Sequence, residues 1–494
     1  MTSLIVWRKL DRFERILIVL FVLSLPFINP WVRGDGIGYY AYARALALDQ
    51  NLQFEKDWRH ANPSFRSGRV DPDGRIRADQ YTVTGHLDNH FTMGPALIWI
   101  PFLVPVHMAV LTADHFGSHI VADGYSWPYL DTMAFVTAFC GFASLFISFK
   151  FARKYFPARW AFLAVLGIWL ASSLPVYMYF NPSWSHAQSA FIVALFIWYW
   201  DHTRFERGWR QWGILGLIGG LMIDMYYPNA IFLLILLVEV AIELARAIRS
   251  RQASQSAFVD GILKFALFLI ALIIAFLPTL ITRWIVFGSP FTLGYSETSV
   301  WTLRSSFLAA VLFSADHGLF SWTPILLLAS AGLFLLWRKD KVICVALGIS
   351  AVAFYFLIAT YPVWDGISSY GNRFFVSLTP IFIIGLAALL AEYEIVCRGL
   401  KVARWSASAV LCMLALWNFG LMFQWGMKLI PARGPISWSE AVHNQFHAVP
   451  VELADSVMQY FSGRHALMRR IERKDLRQLG QINDSDARPS RAKE

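Results

Sequence analysis

The chain has 494 residues, 57% of them hydrophobic and 15% charged, with a mean hydropathy of +0.48. Soluble globular chains carry about a quarter charged residues, so this composition excludes that class and describes a polytopic membrane protein. The net charge of +10 does not argue for nucleic acid, because Lys and Arg collect in short loops between apolar segments, where they set orientation.

Apolar runs long enough to cross a bilayer, about 17–25 residues, recur along the chain. The first, 16–31, has no small-residue cleavage site after it and reads as a retained span rather than a cleaved signal. Basic clusters follow at Arg8-Lys9-Arg12-Arg15, Lys150-Arg153-Lys154-Arg159, Arg204-Arg207-Arg210, Arg246-Arg249-Arg251, Arg338-Lys339-Lys341 and Arg398-Lys401-Arg404. If all are cytoplasmic, an even number of crossings separates each neighbouring pair.

That parity decides the region between Arg15 and Lys150. Three apolar stretches lie there, 16–31, 94–111 and 129–149, and three crossings would put Lys150 outside. The segment 94–111 is therefore expected not to cross but to lie as an interfacial helix. Pro95, Pro101 and Pro105 support this, since each removes a backbone donor. The first outer loop then runs over about 32–127. A later outer loop at 285–320 has room for an interfacial helix near 303–313.

The expected fold is an all-α bundle of about eleven transmembrane helices, near 13–31, 129–149, 160–179, 187–202, 212–228, 230–246, 264–284, 320–337, 342–360, 374–392 and 405–423. The N-terminus is inside. Residues 1–425 form the membrane domain, and 426–494 a polar C-terminal tail on the outer side, its last dozen residues disordered. Cys140, Cys344, Cys397 and Cys412 lie in or beside apolar segments without metal-ligand spacing and read as small hydrophobes.

The expected outer turns hold the polar residues. Asp35 follows the first span directly, within Arg33-Gly34-Asp35-Gly36-Ile37-Gly38-Tyr39-Tyr40. An acid there is costly unless it has work to do. The flanking glycines would let backbone approach a ligand, and Tyr39 and Tyr40 would line the same site. His86, Asp88 and His90 alternate before the interfacial segment. They could hold a divalent metal ion such as Mg or Mn; a solvated turn fits the same pattern, and His90 could instead contact a phosphate. His186, Tyr226, Tyr227, Asn229, Trp364 and Asn372 are further substrate-binding candidates, with turn capping or interfacial anchoring as the plainer alternative. Arg373 leads straight into an apolar span from the outer side, where the charge rule disfavours it, so anion binding explains it better.

No phosphate-binding glycine loop, Gly-x-Ser-x-Gly elbow or His-Glu-x-x-His pair occurs. A donor must then be available in the membrane plane or outside, which suits a polyprenyl-phosphate sugar. Four segments in order resemble the GT-C superfamily of membrane glycosyltransferases, and among them the bacterial transferases related to protein O-mannosyltransferase and lipid A aminoarabinose transferase. They are Gly34-Asp35-Gly36; Asn89-His90-Phe91-Thr92-Met93-Gly94-Pro95 through Trp99; Gly216-Leu217-Ile218-Gly219-Gly220; and Gly371-Asn372-Arg373-Phe374 through Pro380.

The resemblance covers about 10–425. It implies an inverting transfer from a polyprenyl-phosphate sugar to a hydroxyl on a lipid, glycan or protein acceptor. Asp35 would be the general base, with Arg373 and His90 on the donor phosphate. It also implies a bacterial inner-membrane location with a periplasmic site. Many relatives carry a second acid near the first or in the second outer loop; here Gly36 and His186 stand there, which leaves metal use open. A transporter or flippase would place charges near mid-membrane and show internal repeats, and none is visible. Another lipid-linked transferase, a glycan ligase or acyltransferase, would carry its large outer loop late in the chain.

Overall fold

The computed structural model describes residues 10–250, 255–292, 294 and 307–481, and the described chain is helical throughout, without a strand. The expected disordered end and the start of the 303–313 helix lie outside these residues; the described part of that helix is Leu308–Phe313.

The helices that matter for the site are α1 (Arg12–Ser24), α2 (Asp35–Arg44), α3 (Gly94–His115), α4 (Trp127–Tyr155), α5 (Ala158–Ala171), α6 (His186–Thr203), α7 (Trp209–Met225), α8 (Leu234–Ser250) and α9 (Gln255–Phe287). They continue with α10 (Ile325–Leu333), α11 (Lys341–Ala359), α12 (Thr379–Val396), α13 (Leu400–Gly426), α14 (Trp438–Phe446), α15 (Ala448–Ser462) and α16 (Arg464–Gln478). Each expected span coincides with a helical segment. Among the described residues seven helices are long and apolar enough to cross a membrane, α3 among them.

Charge sorts the two ends of the bundle. Asp11 caps α1 through a reciprocal capping box with Glu14. Glu14 then meets Lys150 at 2.5 Å and Arg153 at 2.8 Å at the far end of α4. Lys154 pairs with Asp201, Arg207 with Glu239, Arg204 with Asp340, and Arg159 with Glu394. The start of α1, the end of α4, the end of α6, α8, the start of α11 and the end of α12 are thus tied together on one face, the basic end.

Helix α3 tests the parity argument. Its first residue, Gly94, lies against the Asp224 backbone where α7 ends, and Met93 N–H donates to Thr279 near the end of α9. Further along, His107 is 2.7 Å from the Tyr129 hydroxyl in the first turn of α4. The ends of α7 and α9 and the start of α4 lie opposite the basic end, and α3 also runs beside α4 as far as Thr137, which accepts from the Trp99 indole at 3.0 Å. Its length and hydropathy are those of a candidate span. The helix runs unbroken through Pro101 and Pro105, which occupy its exposed face.

Packing within the bundle uses close backbone approach. A side chain at Gly216 would sit 2.3 Å from the Phe268 carbonyl oxygen and one at Gly220 2.2 Å from that of Leu272, so this small-xxx-small pair lets α7 lie against α9. Beyond the bundle, Tyr40, Phe54, Trp58, Leu87 and Trp99 form a second core within the first loop. It is locked by Arg44, which donates bidentately to Asp57 at 2.7 and 2.8 Å.

The C-terminal segment is not a loose polar tail up to residue 481. Helices α14–α16 fold onto the end opposite the basic face. Asp475 is fully buried among Arg433 (3.1 Å), Lys428 (3.3 Å) and Arg33 (3.5 Å), and Glu472 accepts from Asn62 and from Ser64 N–H.

Two outcomes follow. Gly220→Val forces α7 off α9 and should lower stability by about 1–3 kcal/mol, read by thermal unfolding in detergent. Burial alone would raise the Asp475 carboxyl, but Lys428, Arg33 and Arg433 outweigh it and hold the group below its ordinary value. Its contribution to docking is therefore complete above about pH 4 and is lost as the pH falls through the folded value. Limited proteolysis of α16 should increase only in that acid range.

Candidate functional site

Asp35 is the first residue of α2, at the positive end of a helix dipole. Its backbone is pressed against the α5–α6 connection. Gly34 takes φ +54°, and a side chain at Gly36 would lie 1.9 Å from Ser183 Oγ. At Gly38 it would lie 2.0 Å from the Phe91 ring. These glycines serve protein packing, not approach to a ligand as the sequence suggested. The Trp184 indole N–H donates to the Arg33 carbonyl at 2.9 Å, which completes the clamp.

The clamp presents the Asp35 carboxylate to Arg373. Arg373 Nη1 is 2.7 Å from Asp35 Oδ2; the arginine is almost buried, while Asp35 keeps 35% of its side chain exposed. The guanidinium lies 4.4 Å above the Trp184 ring. Its Nε has no hydrogen-bond partner among the described residues, so donors remain beyond the ion pair. The two strongest candidates of the sequence, 338 residues apart, thus form one polar centre.

The Asp35 charge also acts on Tyr39, Arg69, His90, Tyr177 and Tyr361. Tyr39 stacks near Phe91 at 4.7 Å, and burial raises its phenol above the ordinary value. His90 lies beside Phe91 at 4.2 Å. Burial drives its imidazole down to about 4, only partly offset by Asp35, so it is neutral at pH 7 rather than a cation. His186 is buried between Tyr177, Trp184 and Tyr226, at ring distances of 4.7, 6.0 and 6.0 Å, with no hydrogen-bond partner on Nδ1 among the described residues. Tyr226 stacks on Phe374 at 6.2 Å, next to Arg373.

Other candidates belong elsewhere. Tyr40 is turned into the first-loop core, where its hydroxyl donates to the Gly124 carbonyl at 2.5 Å. Consecutive helical residues point about 100° apart, so Tyr39 and Tyr40 cannot share a site. Asn229 is fully buried and donates to Ser189 at 2.7 Å and the Met222 carbonyl at 3.0 Å, a lock between helices. Asn372 donates to the Trp364 carbonyl at 3.1 Å, and the Trp364 ring stacks on Phe307. Both hold the turn before Arg373.

The metal reading fails on geometry. His86 Nδ1 is bonded to Thr84 Oγ1 in an exposed turn, and Asp88 is exposed. Among the described residues no group of three His, Cys, Asp or Glu side chains is placed to hold a metal ion. The residues present do not fit that cofactor.

Three groups escaped the sequence reading. Arg283, at the end of α9, is buried and donates to the carbonyls of Asn89 (3.2 Å), His90 and Phe91 (2.9 Å), and to the Tyr227 hydroxyl (3.0 Å). Tyr227 is thereby a support for Arg283. The signal was available: Arg283 ends a long apolar run just as Arg373 begins one. Arg69 carries a second positive charge that acts on both Asp35 and His90. Asp224 is buried at the end of α7, beside Thr279 of α9.

In comparisons with known proteins, no family model matches the sequence. No curated protein matches it either. The chain is similar in structure to the crystal structure of ArnT from Cupriavidus metallidurans bound to undecaprenyl phosphate, with 13% identity and a TM-score of 0.46, over 83% of this chain and 70% of that one.

Proposed function

We propose that the protein is an inverting glycosyltransferase that moves a sugar from a polyprenyl-phosphate carrier to a hydroxyl acceptor on the periplasmic side of the bacterial inner membrane. The observation that carries this reading is the Asp35–Arg373 pair, held half-open at the end of an apolar bundle. An inverting displacement needs one base for the attacking hydroxyl and charge stabilisation for the phosphate that leaves from the opposite face of the sugar. Asp35 supplies the first. Its carboxylate takes the proton of the acceptor hydroxyl as the acceptor oxygen attacks the anomeric carbon, and the sugar–phosphate bond breaks to release the polyprenyl phosphate.

The lipid phosphate is already a fair leaving group and needs cations more than a proton. Arg373 gives one amino group to Asp35 and keeps other donors for phosphate oxygens. Arg69 adds a second charge. His90, being neutral, contributes a hydrogen bond rather than a charge, and Arg283 fixes the backbone that carries it. Tyr39, Tyr226 and His186 form the wall against which a sugar would lie. No step is assigned to a metal.

A transporter would use the same pair to bind an anion and would release no product. Incubating the purified protein with a labelled polyprenyl-phosphate sugar and following free polyprenyl phosphate separates the two readings. Asp35→Asn should insert normally and lose about 10²-fold or more in turnover. Arg373→Gln should lose at least as much, and near-normal turnover of either variant rejects the assignment. Because His90 is neutral above about pH 4, kcat/KM should show no limb from this residue between pH 5 and 8. A limb near pH 6.5 that disappears in His90→Gln would contradict its placement.

A further inference from the structure

A second cavity lies away from the Asp35–Arg373 centre. It has a volume of about 570 Å³ and runs between α1, α5, α13 and the C-terminal helices α15 and α16. That volume falls within the range of about 300–1,000 Å³ usual for ligand sites. Its walls are largely apolar and include Leu20, Leu166, Leu170 and Phe419. Its other end is lined by Arg33 and Lys428.

The polar end is over-supplied with cations. Arg33, Lys428 and Arg433 all gather on the single carboxylate of Asp475. One negative charge cannot balance three positive ones, so the arrangement leaves an excess of about two charges beside a desolvated apolar channel. Burial, with Arg33 adding its repulsion, pushes the Lys428 amine down to about 8. An anionic group seated there would relieve that repulsion.

The membrane supplies the rest of the occupant. Helix α15 lies over the cavity mouth and leaves Val451, Met458 and Phe461 exposed, an apolar face suited to the headgroup–acyl boundary. The cavity is also walled off from Asp35. In the 176–180 turn, Val176, Tyr179 and Phe180 face the cavity, whereas Tyr177 faces the Asp35–Arg373 pair. Neither Asp35 nor Arg373 lines the cavity, so an occupant held by Arg33 and Lys428 does not touch the reacting pair, which argues against the sugar carrier itself.

We propose that this groove is a binding site for one anionic phospholipid of the bilayer, its acyl chain along α1, α5 and α13 and its phosphate between Arg33 and Lys428. The site does not depend on the transferase reading. It makes the C-terminal helices a lipid-held cover and gives the excess cations a ligand.

Native mass spectrometry of the purified full-length chain tests this. The probes are palmitoyl-oleoyl phosphatidylglycerol, phosphatidylcholine with the same chains, and a C55 polyprenyl phosphate. The expected result is one phosphatidylglycerol retained at least tenfold more tightly than phosphatidylcholine. Arg33→Gln should remove that preference. Leu170→Trp and Val457→Trp fill the groove from opposite walls, so loss of one variant to misfolding leaves the other; each should lower phosphatidylglycerol occupancy about tenfold. Equal retention of the two phospholipids, unchanged occupancy in the filled variants, or displacement by equimolar polyprenyl phosphate would each overturn the proposal.

Discussion

A charge at the end of an apolar bundle must find a partner, because the medium around it offers little water. Burying an unpaired ion costs several kcal/mol, at about that order per group, and Arg373 is nearly buried. Its pairing with Asp35 therefore offsets part of that burial as well as setting up the chemistry. Much of the surrounding structure keeps the two together. The three glycines bring α2 hard against Ser183, Trp184 and Phe91, the Trp184 ring supports the guanidinium, and Asn372 locks the turn from which Arg373 emerges.

The same constraint is met differently at the other end. There the acids and bases pair in a ring: Glu14 with Lys150 and Arg153, Lys154 with Asp201, Arg204 with Asp340, Arg159 with Glu394. These pairs join helices that are far apart in sequence. At the site end the carboxylate of the central ion pair stays partly exposed. Arg373 Nε and His186 Nδ1 lack hydrogen-bond partners among the described residues. Unmet polar atoms beside a half-exposed carboxylate are what a substrate-binding surface needs, since they gain most when a ligand arrives.

The candidate site was legible where a residue broke a rule of its surroundings. Asp35 and Arg373 stood out as ions at the margins of apolar runs. Arg283 broke the same rule and was passed over, because nothing local shows that it reaches back to the 89–91 backbone. Tyr40 was misplaced by its neighbour Tyr39, since adjacency in sequence is divergence on a helix. His86, Asp88 and His90 alternate as ligands on a strand would, but their backbone forms a turn and scatters them. Asn229 and Asn372 looked like binding groups and proved to be internal braces.

Composition and the spacing of apolar runs determined by themselves that the chain is a membrane helix bundle. Parity of the basic clusters gave the expectation that the segment 94–111 does not cross. Both are consequences of hydration energy, which acts on each segment separately and can be read segment by segment. Only the tertiary structure decided which ions meet, that His90 is neutral, that the C-terminal residues fold over a lipid-sized groove, and that the glycines around Asp35 serve packing. Those outcomes depend on distances between residues hundreds of positions apart, and on burial that arises only when the helices have assembled.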